Sequence, residues 1–425
     1  MMRPLGLMLY AALVTAALTG CVHQSGGSEP AASPHTAAPS PAVSSAPGPT
    51  GAAPSGPSAS PVDPIADQVE AMTLSQKIGQ MLIAGIDGTE DSEQTRRLIQ
   101  SDRIGGIIFY KNNIQNTVQF VQLVNALKRD NEGNPVPLWL SVDEEGGRVT
   151  RLPDELQKTP SNQVIGQMNR PQLAYDIGSL LGKELKAFGL NMDFAPVLDI
   201  NSNPKNPVIG DRSFGNNASI VTKLGIQAMK GLQAEQVIPV VKHFPGHGDT
   251  SVDSHVGLPV VLNSLDRLRK LEFVPFAEAV KEKADAVMVA HILLPKVDAD
   301  YPASMSGKIM TDLLRKEMGF EGVIMTDDMT MGAIVKNYTI GEAAVQAVSA
   351  GANVIMVGHE YSNVETVVQE LTRAVEDKRI SMNAIDESVT RIIRLKDRYH
   401  LEDQQIAVPK VSELNAQVKV ILKKK

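Results

Sequence analysis

Eight short apolar segments alternate with longer, helix-like segments after residue 65. They are Met81–Gly85, Gly106–Tyr110, Leu138–Val142, Met192–Pro196, Val237–Lys242, Ala286–Ala290, Gly322–Thr326 and Val354–Val357. Most are continuous apolar runs, a pattern typical of parallel strands that are covered on both faces. Eight strand–helix alternations over about 300 residues match a (β/α)8 barrel, the TIM barrel. An open, doubly wound sheet is the alternative, because periodicity does not determine whether a sheet closes.

The segments between the strands have the 3.6-residue periodicity of amphipathic helices. They are Asn116–Asp130, Arg170–Gly189, Ser219–Glu235, Asn263–Glu282 and Ser306–Met318, and residues 381–397 fit a final helix. No second domain of comparable size follows. We therefore predict a single α/β catalytic domain over residues 64–400 and a C-terminal tail over residues 401–425, which ends in three lysines.

Residues 1–20 have the composition of an export signal. One positive charge, Arg3, precedes an apolar run that is too short and alanine-rich for a good membrane span. The run ends in Leu18-Thr19-Gly20-Cys21, which resembles a bacterial lipobox, where the Cys is acylated and becomes the new N-terminus. We expect an exported protein that is lipid-anchored at Cys21, on the outer face of the cell membrane or on the outer membrane. A plain secretory signal is the alternative.

Residues 21–63 are predicted to be a disordered tether behind the acylated Cys. Between Val22 and Asp63 there is no aromatic residue and no Lys or Arg, and ten of the 26 prolines lie between Pro30 and Pro64. Such a segment cannot bury enough apolar surface to offset the entropy lost on ordering. We expect it to hold the folded domain away from a membrane.

Charge and cysteine content exclude several classes of protein. A net charge of −7 and a pI near 5.7 argue against a nucleic-acid partner bound by phosphate neutralisation. A single Cys excludes an internal disulfide framework and any zinc or iron–sulfur site built from several cysteines.

Polar residues follow the ends of the predicted strands. They are Asp143–Arg151 after the third strand, Asp193 and Asp199 in and after the fourth, Lys242–Thr250 after the fifth, His291 after the sixth, Asp327 and Asp328 after the seventh, and His359 after the eighth. In a barrel these points share one rim, where the active sites of this fold lie. We therefore expect an active site at this rim.

The segment Lys242–His255, with the sequence KHFPGHGDTSVDSH, is the richest in chemical groups. It is compatible with a metal site, since His and Asp are good ligands, and with a loop that is only braced by hydrogen bonds. The interpretation we favour is acid–base chemistry. In Asp253-Ser254-His255 the carboxylate could orient the imidazole, select its tautomer and raise its basicity.

Four segments resemble glycoside hydrolase family 3. They are KHFPGHGDT with DSH, VDEEGGRVTRL, DFAPVLD at Asp193–Asp199 and GDRSFG at Gly210–Gly215. More narrowly, they resemble the β-N-acetylglucosaminidase branch, whose enzymes remove N-acetylglucosamine during cell-wall recycling. The resemblance runs from about Ile65 to about His400. Many members of the family carry a second α/β domain, whereas here we expect the rim loops to supply the whole site.

The resemblance implies a role for eight residues. The nucleophile corresponds to Asp327, the acid/base to His255 and its partner to Asp253, and the sugar-binding positions correspond to Asp143, Arg151, Arg212, Lys242 and His243. It implies a retaining exo-β-N-acetylglucosaminidase that acts on peptidoglycan fragments or chitooligosaccharides through a glycosyl-enzyme on Asp327. We expect a monomer that uses no metal or cofactor and contacts a membrane only through its lipid anchor.

Several alternatives remain open at this point. A His acid/base carries no negative charge, so a phosphate acceptor would not be repelled and the same residues could support phosphorolysis. A metal-dependent barrel hydrolase and a catalytically inactive sugar-binding lipoprotein are further alternatives; the intact Asp327, Asp253 and His255 argue against the second. Because neighbouring strand residues point to opposite faces, we expect only one of Asp327 and Asp328 to point inward.

Overall fold

The computed structural model describes residues 63–423. The predicted signal peptide, Cys21 and nearly all of the predicted tether lie outside the described residues. All described residues belong to one compact unit. Among them, no helix combines the length and the apolar character that crossing a bilayer requires.

Eight parallel strands close into a barrel in the order β1 to β8, with β8 paired to β1. They are β1 (Leu82–Gly85), β2 (Gly106–Phe109), β3 (Trp139–Val142), β4 (Met192–Asp193), β5 (Ile238–Phe244), β6 (Ala286–Val289), β7 (Val323–Asp328) and β8 (Val354–Val357). The predicted (β/α)8 barrel is confirmed, and the open-sheet alternative is wrong. Nearly every strand residue is buried, because the barrel core covers one face and the surrounding helices cover the other.

Helices surround the barrel. They are α1 (Pro64–Ala71), α2 (Leu74–Gln80), α3 (Glu93–Gln100), α4 (Thr117–Asp130), α5 (Asn162–Met168), α6 (Pro171–Ala187), α7 (Ala218–Ala234), α8 (Leu265–Lys270), α9 (Phe273–Lys281), α10 (Gly332–Val335), α11 (Ile340–Ser349), α12 (Tyr361–Glu376), α13 (Met382–Arg398) and α14 (Val411–Lys423). The segment Lys308–Glu317 forms a π-helix, and short 3-10 turns cover Lys111–Asn113, Gly210–Arg212 and Ala303–Met305. Side-chain caps begin several of the helices; Asn116, for example, accepts the N–H of Gln119 ahead of α4.

The structure departs from the predicted elements in several places. The predicted helix Asn263–Glu282 is two helices, α8 and α9, separated at Leu271 and Glu272. The predicted strand Met192–Pro196 is regular only over β4. Pro196 has no N–H to donate, although its carbonyl oxygen still accepts the N–H of Lys242 on β5. The predicted C-terminal tail contains α14, which packs on α6.

Helix α13 crosses the N-terminal face of the barrel. Lys396 donates to the carbonyl oxygens of Gly105 and Pro137, which lie just before β2 and β3. Arg398 pairs with Asp285, the residue before β6. Arg394, on the same helix, forms an ion pair with Asp63, the first described residue. The described chain therefore begins on the N-terminal face of the barrel, opposite to the face where the C-terminal ends of the strands lie.

Candidate active site

A cavity of about 560 Å³, lined by both charged and apolar side chains, opens at the C-terminal face of the barrel. All eight predicted catalytic and sugar-binding residues line it, namely Asp143, Arg151, Arg212, Lys242, His243, Asp253, His255 and Asp327. They come from the ends of β3, β5 and β7 and from the loops that follow β3, β4 and β5. The barrel thus brings together groups that are up to 184 positions apart in the sequence, the separation of Asp143 and Asp327.

One side of the cavity is a cluster of paired charges. The Nζ of Lys242 lies 2.5 Å from Oδ1 of Asp143 and 2.7 Å from Oε1 of Glu145. Arg212 donates from Nε and an Nη to both oxygens of Glu145, at 2.9 and 2.7 Å. Burial alone would raise the pKa of Glu145, but Arg212 and Lys242 outweigh it and hold that pKa well below its usual range. Glu145 therefore keeps Lys242 and Arg212 in place.

The imidazole of His243 is oriented by Asp199. Its Nδ1 lies 2.6 Å from Oδ2 of Asp199, and the other oxygen of Asp199 accepts the backbone N–H of His247 at 2.6 Å. Burial acts to raise the pKa of Asp199, but His243 and His247 outweigh it and the pKa is lowered. With Nδ1 donating to this carboxylate, the Nε2 of His243 is left to face Arg212, at 3.4 Å, and the cavity.

Asp327 lies at the end of β7, where its carboxylate accepts the backbone N–H of Asp328 at 2.8 Å. Burial would raise the pKa of Asp327, but the nearby His291 and His243 outweigh it, so the pKa lies below the usual value. The carboxylate is consequently ionised at neutral pH, which is the state in which a carboxylate can act as a nucleophile.

Asp328 also lines the cavity, so the prediction that only one of the two aspartates would point inward is wrong. The register of β7 against β8 shifts between Met325 and Asp328, which breaks the simple alternation. Unlike Asp327, Asp328 is tied into the wall. Its carboxylate accepts the N–H groups of Thr330 and Gly358 and the hydroxyls of Thr330 and Tyr110.

Asp253 and His255 meet at the mouth of the cavity. Nδ1 of His255 lies 2.8 Å from Oδ1 of Asp253, which also accepts the backbone N–H of His255 at 2.9 Å. The His255 side chain is 66% exposed. Burial would raise the pKa of Asp253, but its bonds to His255 outweigh that and lower it. No residue in the described part of the chain is bonded to Nε2 of His255, so this nitrogen is available to exchange a proton with a bound molecule.

Arg151 is the remaining predicted sugar-binding residue. Arg151 lines the cavity, and its backbone N–H donates to Glu144, which anchors the loop after β3.

Within residues 63–423, no group of three His, Cys, Asp or Glu side chains is arranged to hold a metal ion. Both ring nitrogens of His247, in the segment for which a metal site was one interpretation, are engaged by the hydroxyls of Thr250 and Ser254.

Sequence reasoning assigned no role to two of the residues that hold the site together, Glu145 and Asp199. Glu145 lies within the polar run Asp143–Arg151, and Asp199 ends the segment DFAPVLD, but the sequence alone assigns neither of them a partner. Their partners are 44 to 97 positions away in the chain, as for Asp199 with His243 and Glu145 with Lys242. The one available signal was their position at the rim, because a buried carboxylate there requires a cation or several donors.

Comparison with known proteins gives consistent matches. The sequence profile described as the glycosyl hydrolase family 3 N-terminal domain matches residues 73–395. Beta-hexosaminidase A of Pseudoalteromonas piscicida is 36% identical over 335 residues, which are 73% of this chain and 56% of the relative. Beta-hexosaminidase of Xylella fastidiosa is 34% identical over 72% of this chain and 90% of the relative. The chain thus spans little more than half of the first relative's length.

A solved structure has the same architecture at higher identity. The family 3 beta-N-acetylglucosaminidase from Paenibacillus sp. superposes with a TM-score of 0.78 at 44% identity. The match covers 83% of this chain and 69% of that chain.

Proposed function

Because this chain belongs to glycosyl hydrolase family 3, we propose that it is a retaining exo-β-N-acetylglucosaminidase. It removes terminal, non-reducing N-acetylglucosamine from peptidoglycan fragments or chitooligosaccharides. One observation carries the proposal: an ionised aspartate, Asp327, and a carboxylate–imidazole pair, Asp253 and His255, line the same cavity. These are the nucleophile and the acid/base that a double displacement needs.

The first step forms a glycosyl-enzyme. A carboxylate oxygen of Asp327 attacks the anomeric carbon, and the bond from that carbon to the leaving oxygen breaks. Protonated His255 gives its Nε2 proton to the leaving oxygen while Asp253 stabilises the imidazolium through Nδ1.

The second step releases the sugar. Neutral His255 takes a proton from water, the resulting hydroxide attacks the anomeric carbon, and Asp327 leaves as a carboxylate. Two inversions restore the β configuration.

The paired charges orient the sugar ring. Asp143, Lys242 and Arg212 are already fixed by one another and by Glu145, so they can bond sugar hydroxyls with little loss of side-chain entropy. Because the pairs nearly cancel in charge, they suit a neutral pyranose.

Substitution of the nucleophile tests the proposal. Asp327→Asn should abolish release of p-nitrophenol from p-nitrophenyl β-N-acetylglucosaminide. His255→Ala should strongly slow deglycosylation. Asp300→Asn, on the exposed loop after β6, is a matched control that should keep full activity. Undiminished turnover by the Asp327 variant would refute the assignment.

Product analysis separates hydrolysis from phosphorolysis. The acid/base is an imidazole, which does not repel an anionic acceptor as a carboxylate would, and this favours phosphorolysis as the second candidate. The reaction is run with and without inorganic phosphate. Free sugar in both conditions supports the hydrolase, whereas sugar 1-phosphate identifies a phosphorylase. Activity should persist in EDTA, because no step uses a metal.

We also propose that the enzyme is exported and anchored by acylation of Cys21, on the strength of the Leu-Thr-Gly-Cys sequence. Multiple acyl chains would give stable anchoring, since each buried CH₂ adds about 0.8 kcal/mol. Cys21→Ser should move the protein from the membrane fraction to the soluble fraction. Retention of the variant in the membrane fraction would contradict the proposal.

A further inference from the structure

We infer that His247 and Ser254 are positioning residues that hold the Asp253–His255 pair over the cavity, an inference that rests on the proposed function. Nε2 of His247 lies 3.2 Å from Oγ of Ser254, the residue between the two members of the pair. Ser254 is 2% exposed, whereas the Asp253 and His255 side chains are 35% and 66% exposed. The buried serine is therefore the side chain through which this tripeptide is attached to the protein interior.

The direction of the hydrogen bond between His247 and Ser254 follows from how the hydroxyl of Thr250 bonds to the other side of the His247 ring. Its hydroxyl donates its single proton to the carbonyl oxygen of His247 at 3.0 Å and accepts from Nδ2 of Asn206 at 3.2 Å. Toward Nδ1 of His247, at 2.8 Å, the hydroxyl must therefore accept, so Nδ1 carries a proton. Burial, with His243 nearby, lowers the pKa of His247 to about 4. The ring is thus neutral, and Nε2 accepts the hydroxyl proton of Ser254.

The loop is clamped from a second direction by backbone bonds. The N–H of Gly332 donates to the carbonyl oxygen of His255, at 3.3 Å, and the N–H of Ala333 donates to that of Ser254, at 3.0 Å. These bonds attach the loop to the start of α10, which follows β7 and the nucleophile. Because these bonds hold only the backbone, the orientation of the tripeptide's side chains is set by the contact of Ser254 with the protein interior.

The anchor is continuous with the sugar-binding part of the site. Asp199 accepts the backbone N–H of His247 and also binds Nδ1 of His243. A single buried carboxylate therefore sets the position of a sugar-binding imidazole and, through His247 and Ser254, of the acid/base. Loss of the Ser254 hydroxyl should displace His255 and leave Asp327, which is held by β7, in place.

The test separates the two chemical steps. p-Nitrophenolate leaves without acid assistance, so the p-nitrophenol burst reports attack by Asp327, and the steady state reports deglycosylation assisted by His255. We expect Ser254→Ala to slow deglycosylation about 10- to 100-fold and to change the burst rate less than about 2-fold. Azide, a nucleophile that needs no base, should restore turnover and form β-glycosyl azide. Ser251→Ala, an exposed serine on the same loop, is the matched control.

A double-mutant cycle distinguishes positioning from general damage. If Ser254 acts through His255, Ser254→Ala should cause no further loss in a His255→Ala background. The inference is overturned if Ser254→Ala deglycosylates at the normal rate. It is also overturned if both steps slow equally and azide restores nothing, or if the losses of the two substitutions add. If instead Asp327→Asn remained active, the proposed function itself would fail, and that result is independent of Ser254.

Discussion

Lys396 is a buried amine to which no carboxylate among residues 63–423 is bonded, and it should make the free energy of unfolding of the barrel change with pH above neutrality. Its Nζ donates to Oε1 of Gln80 and to the carbonyl oxygens of Gly105 and Pro137, at 2.7 to 2.9 Å, and lies 4.7 Å from the ring centre of Trp139. Burial lowers the pKa of Lys396 to about 7, against 10.5 for an ordinary lysine.

The sign and size of the effect follow from linkage. Above pH 7 the folded protein loses this proton while the unfolded chain keeps it, so the unfolded state binds more protons and stability rises with pH. The full separation of the two pKa values corresponds to roughly 5 kcal/mol, of which about 2 kcal/mol should be gained between pH 7 and pH 9. Below pH 7 both states are protonated, and this contribution becomes constant.

The single Trp of the chain supplies the assay. Urea unfolding of the wild type, of Lys396→Met and of Lys223→Met, an exposed control on α7, is followed by Trp139 fluorescence at pH 7, 8 and 9. The wild type and the control should gain about 2 kcal/mol more over this interval than Lys396→Met. The reasoning is refuted if all three free energies of unfolding change in parallel with pH.

Two further substitutions probe the active site. A Cβ at Gly332 would lie 2.6 Å from the carbonyl oxygen of His255. Gly332→Ala should therefore displace the loop that carries the proposed acid/base and lower kcat about 100-fold with little change in Tm. An unaffected kcat would show that this contact does not set the loop position. Glu145→Gln removes the carboxylate shared by Arg212 and Lys242, so it should lower the free energy of unfolding in urea by roughly 3–5 kcal/mol. Glu132→Gln, on an exposed loop, is the control and should leave that free energy unchanged. Equal stabilities of the two variants would contradict the role given to Glu145.

The barrel strands were largely predictable because each is a local apolar run that is buried on both faces. Val354–Val357 was predicted with the same bounds that the structure has. The ends of β5 and β7 were missed. His243 and Phe244 extend β5, and Asp327 and Asp328 extend β7, beyond the predicted bounds. Of these four residues, His243, Asp327 and Asp328 are polar and line the cavity. Strand ends at an active site therefore violate the pattern that identifies the rest of the strand.

The residues expected at the site converge on one cavity, but only the local contact among them could be predicted. The Asp253–His255 contact spans two positions and follows from local geometry. The bonds of Glu145 to Lys242 and Arg212, and that of Asp199 to His243, depend on how the barrel closes. Helix α14 was missed for a related reason, because its stability comes from packing against α6 rather than from a strong local signal.

The attachment of Asp63 to α13 has a practical consequence for immobilising the enzyme. Asp63 is held by Arg394 on the N-terminal face of the barrel, whereas the cavity opens on the C-terminal face. A support coupled through any group ahead of Asp63 therefore joins the barrel on the side away from the cavity mouth. Long or branched glycans should reach the bead-bound enzyme without passing the point of attachment.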